Sequence, residues 1–142
     1  MDNKGQISAE YLLLIVVMLT ILSYSITNLI GPSIDASNDI SWTSDAKIAV
    51  ETVANAVNIV YANGPGSKRT FDVYIPKDNM KLQSSGDDIY IITNLTDGTS
   101  KNVSASTGYN LKSNSITLSK NWHTIQVQWP IGTNAINITA LT

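Results

Sequence analysis

Cysteine is absent from the 142 residues. That excludes a disulfide framework and any thiolate metal site. Histidine occurs once, as His123, so no multi-histidine metal site forms within one chain and acid–base chemistry at neutral pH is poorly supplied. Charge is scarce too. Charged side chains make up 14% of the chain, against about a quarter in ordinary proteins. Nine Lys and Arg stand against 11 Asp and Glu, a net charge of −2, which leaves no basic surface for nucleic acid. The length allows one ordinary domain, not two full ones. What takes the place of charge is 16 Ser, 14 Thr and 14 Asn, or 44 of 142 residues. Hydroxyls and amides, rather than ions, keep this surface soluble.

The apolar residues are unevenly spread. No charged side chain occurs in residues 11–34, and residues 11–30 read YLLLIVVMLTILSYSITNLI. At about 1.5 Å per residue, 20 residues make a helix of roughly 30 Å, the thickness of a bilayer's hydrocarbon core. A buried helix of a small soluble domain would carry a polar stripe. Here only Thr20, Ser23, Ser25, Thr27 and Asn28 interrupt the run, and hydroxyls can bond back to helical carbonyls. The segment reads as a membrane-inserted helix. A cleaved secretory signal would have a hydrophobic region of about 7–15 residues and a small-x-small site. Ser23-Tyr24-Ser25 could pose as that site, but the run is too long and Glu10 lies at its N-terminal edge.

The residues just before the run are Lys4-Gly5-Gln6-Ile7-Ser8-Ala9-Glu10-Tyr11-Leu12-Leu13-Leu14. They resemble the class III signal of archaeal type IV pilins: a basic residue and glycine, then Q-x-S-x-E-x-x-x-L, with Gln6, Ser8, Glu10 and Leu14 in the stated positions. Signal and apolar run together cover about a fifth of the chain. The resemblance implies recognition through Lys4, Gln6, Ser8, Glu10 and Leu14. It implies a membrane prepilin peptidase that cuts between Gly5 and Gln6, with the hydrophobic helix retained. Glycine suits such a cut because a protease can approach its backbone closely. Lys4 is a weak orienting charge, and removing residues 1–5 deletes it.

Glu10 is the most informative single residue. A carboxylate carried to a bilayer's centre costs roughly 2.5–3.5 kcal/mol. At headgroup depth, in the first helical turn, the helix dipole favours an anion. The functional alternative is that Glu10 pairs with a neighbouring subunit and sets axial register; in bacterial relatives the partner is thought to be a free N-terminal amine. An N-terminal Gln6 can cyclise, which would erase that charge and leave Glu10 to neutral donors such as Ser8.

Downstream, Gly31-Pro32 predicts a kink, since proline lacks an N–H and clashes with the carbonyl of Asn28. From Asp45 the period is helical. Ala46, Val50, Val53, Ala54, Val57, Val60 and Tyr61 fall on one face, and Lys47, Glu51, Asn55 and Asn58 on the other. Asn63-Gly64-Pro65-Gly66 is a helix stop. After Gly66 the period becomes two. Phe71, Val73 and Ile75 mark one strand and Ile89 to Ile92 a second. Thr96-Asp97-Gly98 is a hairpin turn into residues 99–106. Ile116 with Leu118, then Ile125 with Val127 and Trp129, then Ile136 with Ile138 mark the rest. The expected fold class is α+β: a long hydrophobic helix kinked near Gly31-Pro32, continuing into an amphipathic helix packed on a C-terminal antiparallel sheet of five or six strands, one face wet. The expected segments are a cleaved leader (1–5), a transmembrane or filament-core helix (6–30), the kink and amphipathic helix (31–66) and a β-sheet headgroup (67–142).

The C-terminal part offers little chemistry. His123 beside Trp122 reads as a rim residue. Asp87-Asp88 after Ser84-Ser85-Gly86 reads as a solvated turn rather than a cation site. Gly64-Pro65-Gly66 with Lys68 and Arg69 lacks the spacing of a phosphate loop. Trp122 and Trp129 lie on opposite sides of the alternation, so one can be core and the other can face a neighbour or a sugar. Sequons occur at Asn94, Asn102 and Asn137, all in the outward part. No catalytic residue, metal ligand or cofactor motif can be named, and an enzyme is not expected.

The resemblance implies a structural subunit of an archaeal type IV pilus-like filament. Such a chain sits in the cell membrane before assembly and in an extracellular, adhesive pilus on the cell surface afterwards. It would polymerise with itself through its N-terminal helix, with a prepilin peptidase, an assembly ATPase and a membrane platform protein as partners. A minor pilin or a membrane-anchored binding protein would share the signal. An archaellin ranks lower, because its hydrophobic residues usually begin directly at the cut.

Overall fold

A computed structural model describes the backbone of residues 3–141 and the side chains of residues 8–141. The element order is α1 (Asn3–Ser25), a π-helical turn (Ile26–Ile30), α2 (Gly31–Asn63), then β1 (Lys68–Ile75), β2 (Met80–Asn94), β3 (Ser100–Leu118), β4 (Asn121–Gln128) and β5 (Asn137–Leu141). The fold is α+β. The chain divides into two compact units, residues 1–38 and 39–142.

In the first unit, the disturbance expected at Gly31-Pro32 falls just upstream of the proline. Gly31 keeps right-handed helical angles, and its N–H reaches the Ile26 carbonyl, five residues back. Pro32 cannot donate to Asn28, so the wider turn absorbs the missing bond without ending the helix.

In the second unit, α2 buries Ala46, Ala49, Val50, Val53, Ala54, Ala56, Val57 and Val60. At 100° per residue these span an arc of about 160°, wider than a single stripe. The reason is that α2 meets two sheets. One is three-stranded in the order β1-β4-β5, and the other is the ribbon β2-β3. On one flank of α2, Lys47 Nζ donates to the Ser104 carbonyl (2.7 Å), and Asn58 Oδ1 accepts the Gly108 N–H (2.7 Å). On the other flank, Asp45, Ile48 and Thr52 face β1 and Trp122. The core joins the helix face to Val73, Ile75, Ile89, Ile91, Ile125 and Val127.

The single sheet expected from the alternation is therefore two. Where β3 passes β5, the Asn114 side chain rather than a backbone N–H donates to the Ile138 carbonyl (3.0 Å), so the ladders do not fuse. The segment read as a solvated turn at Ser84–Asp88 is also strand. Gly86 pairs with Leu111 and Asp88 with Ser106, with a register shift between them. Residues 107–110 thus stand opposite Asp87 alone in a large bulge. Gly86 takes φ +65° there, a conformation that glycine adopts at no steric cost.

The stop of α2 is as expected. Gly64, at φ +81°, donates its N–H to the Val60 carbonyl at 3.1 Å. Ser67 Oγ donates to Val60 O (2.8 Å) and Gly64 O (2.6 Å). These bonds satisfy carbonyls that a helix end leaves open.

At the β2–β3 tip, Asp97 Oδ1 accepts both the Thr99 hydroxyl (2.6 Å) and the Thr99 N–H (2.8 Å). The hydroxyl bond first, and then the backbone bond, hold its carboxyl below the usual carboxylate value. A depressed folded-state pKa stabilises the turn above the ordinary carboxylate pKa, and that contribution is lost as pH falls through the folded value. Acidification below about pH 4 is expected to shift the Thr99 amide resonance and speed its exchange, and Asp97→Asn removes that pH dependence. An NMR pH series checks both.

Candidate functional site

The N-terminal helix carries the motif, and its surface is unlike that of a soluble domain. Across residues 11–30 its large apolar side chains are 48–69% exposed, on every face of the helix. Toward its N-terminus the helix Ser8–Asn63 is long and apolar enough to cross a membrane, and none of that part is buried. Leaving about fifteen such side chains in water would cost roughly 1.5–3 kcal/mol each.

Three polar side chains of this stretch, and Ser33 just after it, bond back to their own helix. Thr20 Oγ1 donates to Val16 O (2.8 Å), Thr27 Oγ1 to Ser23 O (3.0 Å), Asn28 Nδ2 to Tyr24 O (2.9 Å) and Ser33 Oγ to Leu29 O (2.7 Å). A medium without water demands this of each backbone and side-chain polar group. These bonds let the helix present hydroxyl-bearing residues to lipid or to another helix.

The motif residues sit on α1. Positions 6, 10 and 14 are four apart and share one helix face. Ser8, Glu10 and Leu14 are exposed. The backbone at Gly5 and Gln6 is helical. The side chains of Lys4 and Gln6 lie outside the described residues. A peptidase must open a helical backbone locally before it can cut, and glycine lowers the cost of opening by about 1 kcal/mol relative to alanine.

The other sequence candidates have ordinary surroundings. Asn94, Asn102 and Asn137 are exposed, on β2, β3 and β5. Asn94 Oδ1 accepts the Ser100 hydroxyl (2.8 Å), and the Thr96 hydroxyl of its sequon donates to Asp39 (2.7 Å). The half-buried His123 holds the Ser119 carbonyl at 2.8 Å, so its Nε2 carries the proton and ties β4 to the preceding turn. Asp87 and Asp88 are exposed. Among the described residues, no three His, Asp or Glu side chains come together as metal ligands do. Trp129 is half-buried. It stacks on Tyr61 (5.8 Å), meets Tyr109 at a tilt (5.4 Å, 51°) and donates its Nε1–H to the Thr133 carbonyl (2.7 Å). Trp122 points outward at 66% exposure.

Sequence reading missed the Tyr61–Tyr109–Trp129 cluster. Its members come from α2, β3 and the residue just after β4, and no local pattern joins them.

Residues 3–29 match the family model for the class III signal peptide. No curated protein and no solved structure matches the chain.

Proposed function

From a chain that carries a class III signal peptide, the hallmark of archaeal type IV pilin-like prepilins, we propose a structural pilin. It is the repeating subunit of an extracellular filament that polymerises through its N-terminal helix and serves surface adhesion. The signal with the apolar helix supports membrane insertion, prepilin-peptidase processing and pilin-type assembly. The single observation that carries the proposal is an apolar helix exposed on every face directly behind that signal.

The mechanism follows from burial. Before processing, the helix lies in lipid with its leader on the cytoplasmic side. The peptidase opens the helix at Gly5 and cuts before Gln6, and the apolar helix stays in the bilayer. The helix then exchanges lipid for copies of itself, keeping its side chains out of water. Heterologous contacts whose rotation and rise do not close generate a helical fibre. Glu10, at the fifth position of the mature chain, is the carboxylate at the N-terminal edge of the apolar run. It sets axial register by accepting hydrogen bonds from a neighbouring subunit. An assembly ATPase and a membrane platform protein drive the exchange, and this chain is a passive building block, not an enzyme.

Electron microscopy of fibres sheared from the cell surface tests the proposal. Deleting this gene removes the fibres if the chain is the bulk subunit. Fibres that persist at normal number overturn it and leave a minor subunit in its place.

We also propose N-glycosylation of the outward unit. Among the described residues the exposed Asn102 and Asn137 side chains make no hydrogen bond, while Asn94 and its sequon threonine are engaged. Asn102 and Asn137 are expected to carry sugar ahead of Asn94. Peptide mass spectrometry is expected to find a glycan on at least one of the two, and replacing both with Gln to remove that mass without loss of fibres.

A further inference from the structure

The three-stranded sheet carries a groove that pilin assembly does not explain. It lies between α2 and the edge strand β1, with a volume of about 250 Å³. Asp45, Ile48 and Thr52 line it from the helix, Asp72 and Tyr74 from β1, and Trp122 from β4. Drug-sized ligands occupy roughly 300–1,000 Å³, so this groove suits a single ring.

Trp122 is out of keeping with its strand. β4 buries Ile125 and Val127, and the alternate positions hold Trp122, Thr124, Gln126 and Gln128. The indole thus stands at the end of an otherwise polar row. The β1–β4 register places Tyr74 opposite it, and the two rings lie 5.5 Å apart at 52°. Tyr74 thus props an indole that remains 66% exposed. One pair along, Asp72 lies opposite Thr124. Its Oδ1 accepts the Thr124 hydroxyl at 2.7 Å, which fixes the carboxylate and leaves Oδ2 to accept from elsewhere. Asp45 brings a second carboxylate from the helix side.

We infer that this groove binds a neutral hexopyranose ring of a glycan, stacked on Trp122 and hydrogen-bonded through Asp72 and Asp45. A pyranose has one face of polarised C–H bonds and an edge of hydroxyl donors. The negative face of an indole attracts the first, and carboxylate oxygens accept from the second with charge-assisted strength. The two carboxylates also fix the sign. A uronic or other anionic sugar meets like charge and is rejected. The inference gives the adhesion named above a target class and rests on it only for its biological use, since the binding step is independent of filament formation.

The test uses the full chain in a zwitterionic detergent that carries no sugar. Saturation-transfer NMR is run with the methyl glycosides of glucose, galactose and mannose, and with sodium glucuronate. At least one neutral glycoside is expected to receive saturation, and glucuronate none. Trp122→Ala abolishes the signal, Asp72→Asn weakens binding about ten-fold, and Ile131→Ser, at an exposed apolar residue elsewhere, leaves it unchanged. Because Trp122 is exposed, thermal melting of its variant stays at the wild-type midpoint, separating lost binding from lost fold.

No Trp122-dependent signal from any neutral glycoside overturns the inference. So does protection of Trp122 from a soluble quencher in assembled fibres, which would show a neighbouring copy in the groove. Fibres without sugar binding remove this site and leave the filament proposal standing; sugar binding without fibres does the reverse.

Discussion

Replacing Gly5 with leucine is expected to leave the precursor uncut and the cell without fibres. The backbone at Gly5 is helical, so the peptidase must open a turn and bring catalytic groups against the bond. A side chain at that position keeps the backbone from close approach and favours the closed helix. A misplacement of about 1 Å lowers a catalysed rate on the order of 100-fold. Gly5→Ala adds only a methyl group and is expected to fall between the two. Electrophoresis of membrane and sheared fractions separates precursor from mature chain. Processing of Gly5→Leu at the wild-type rate would show that the cut lies elsewhere.

Ile125→Ala is expected to have the largest effect on the outward unit. Ile125 is fully buried on the central strand of the β1-β4-β5 sheet, in one cluster with Val50, Val53 and Val57 of α2. Truncating such a side chain costs roughly 2–5 kcal/mol, because part of the cavity does not collapse. Each kcal/mol lowers the melting midpoint of a domain of this size by about 4–8 °C. The same change at Ile131, which is 84% exposed, is expected to leave the midpoint within a few degrees. Calorimetry on the detergent-solubilised chain reads both. Equal midpoints for the two variants would contradict the packing described here.

How much of this was legible differs from element to element. The buried face of α2 could be read from Ala46, Val50, Val53, Ala54, Val57 and Val60, because a helix repeats every 3.6 residues. Ala49 and Ala56 are buried too. They escape notice because alanine marks a face weakly, and because the second sheet that widens the face is set by distant residues. Strands β1 and β4 alternate cleanly between turn residues. The β2–β3 ribbon does not, since Ser84, Gly86 and Asp87 look like a turn while they form a bulged strand. β3 and β5 belong to different sheets and are linked by a side chain, Asn114 reaching across to Ile138, and periodicity cannot report such a contact.

The candidate site was legible for the opposite reason. Gln6, Ser8, Glu10 and Leu14 are close in sequence and share a helix, so a linear motif records them. The groove at Trp122 draws on α2, β1 and β4, and only the fold assembles it.

The decisive measurement is the exact mass of the N-terminal peptide from purified surface fibres. Our account requires a filament protein whose first residue is Gln6, or its lactam, with every leucine of the hydrophobic stretch still attached. A secreted product that starts at Ile26 and lacks that stretch would contradict it, because nothing would then remain to hold one subunit to the next.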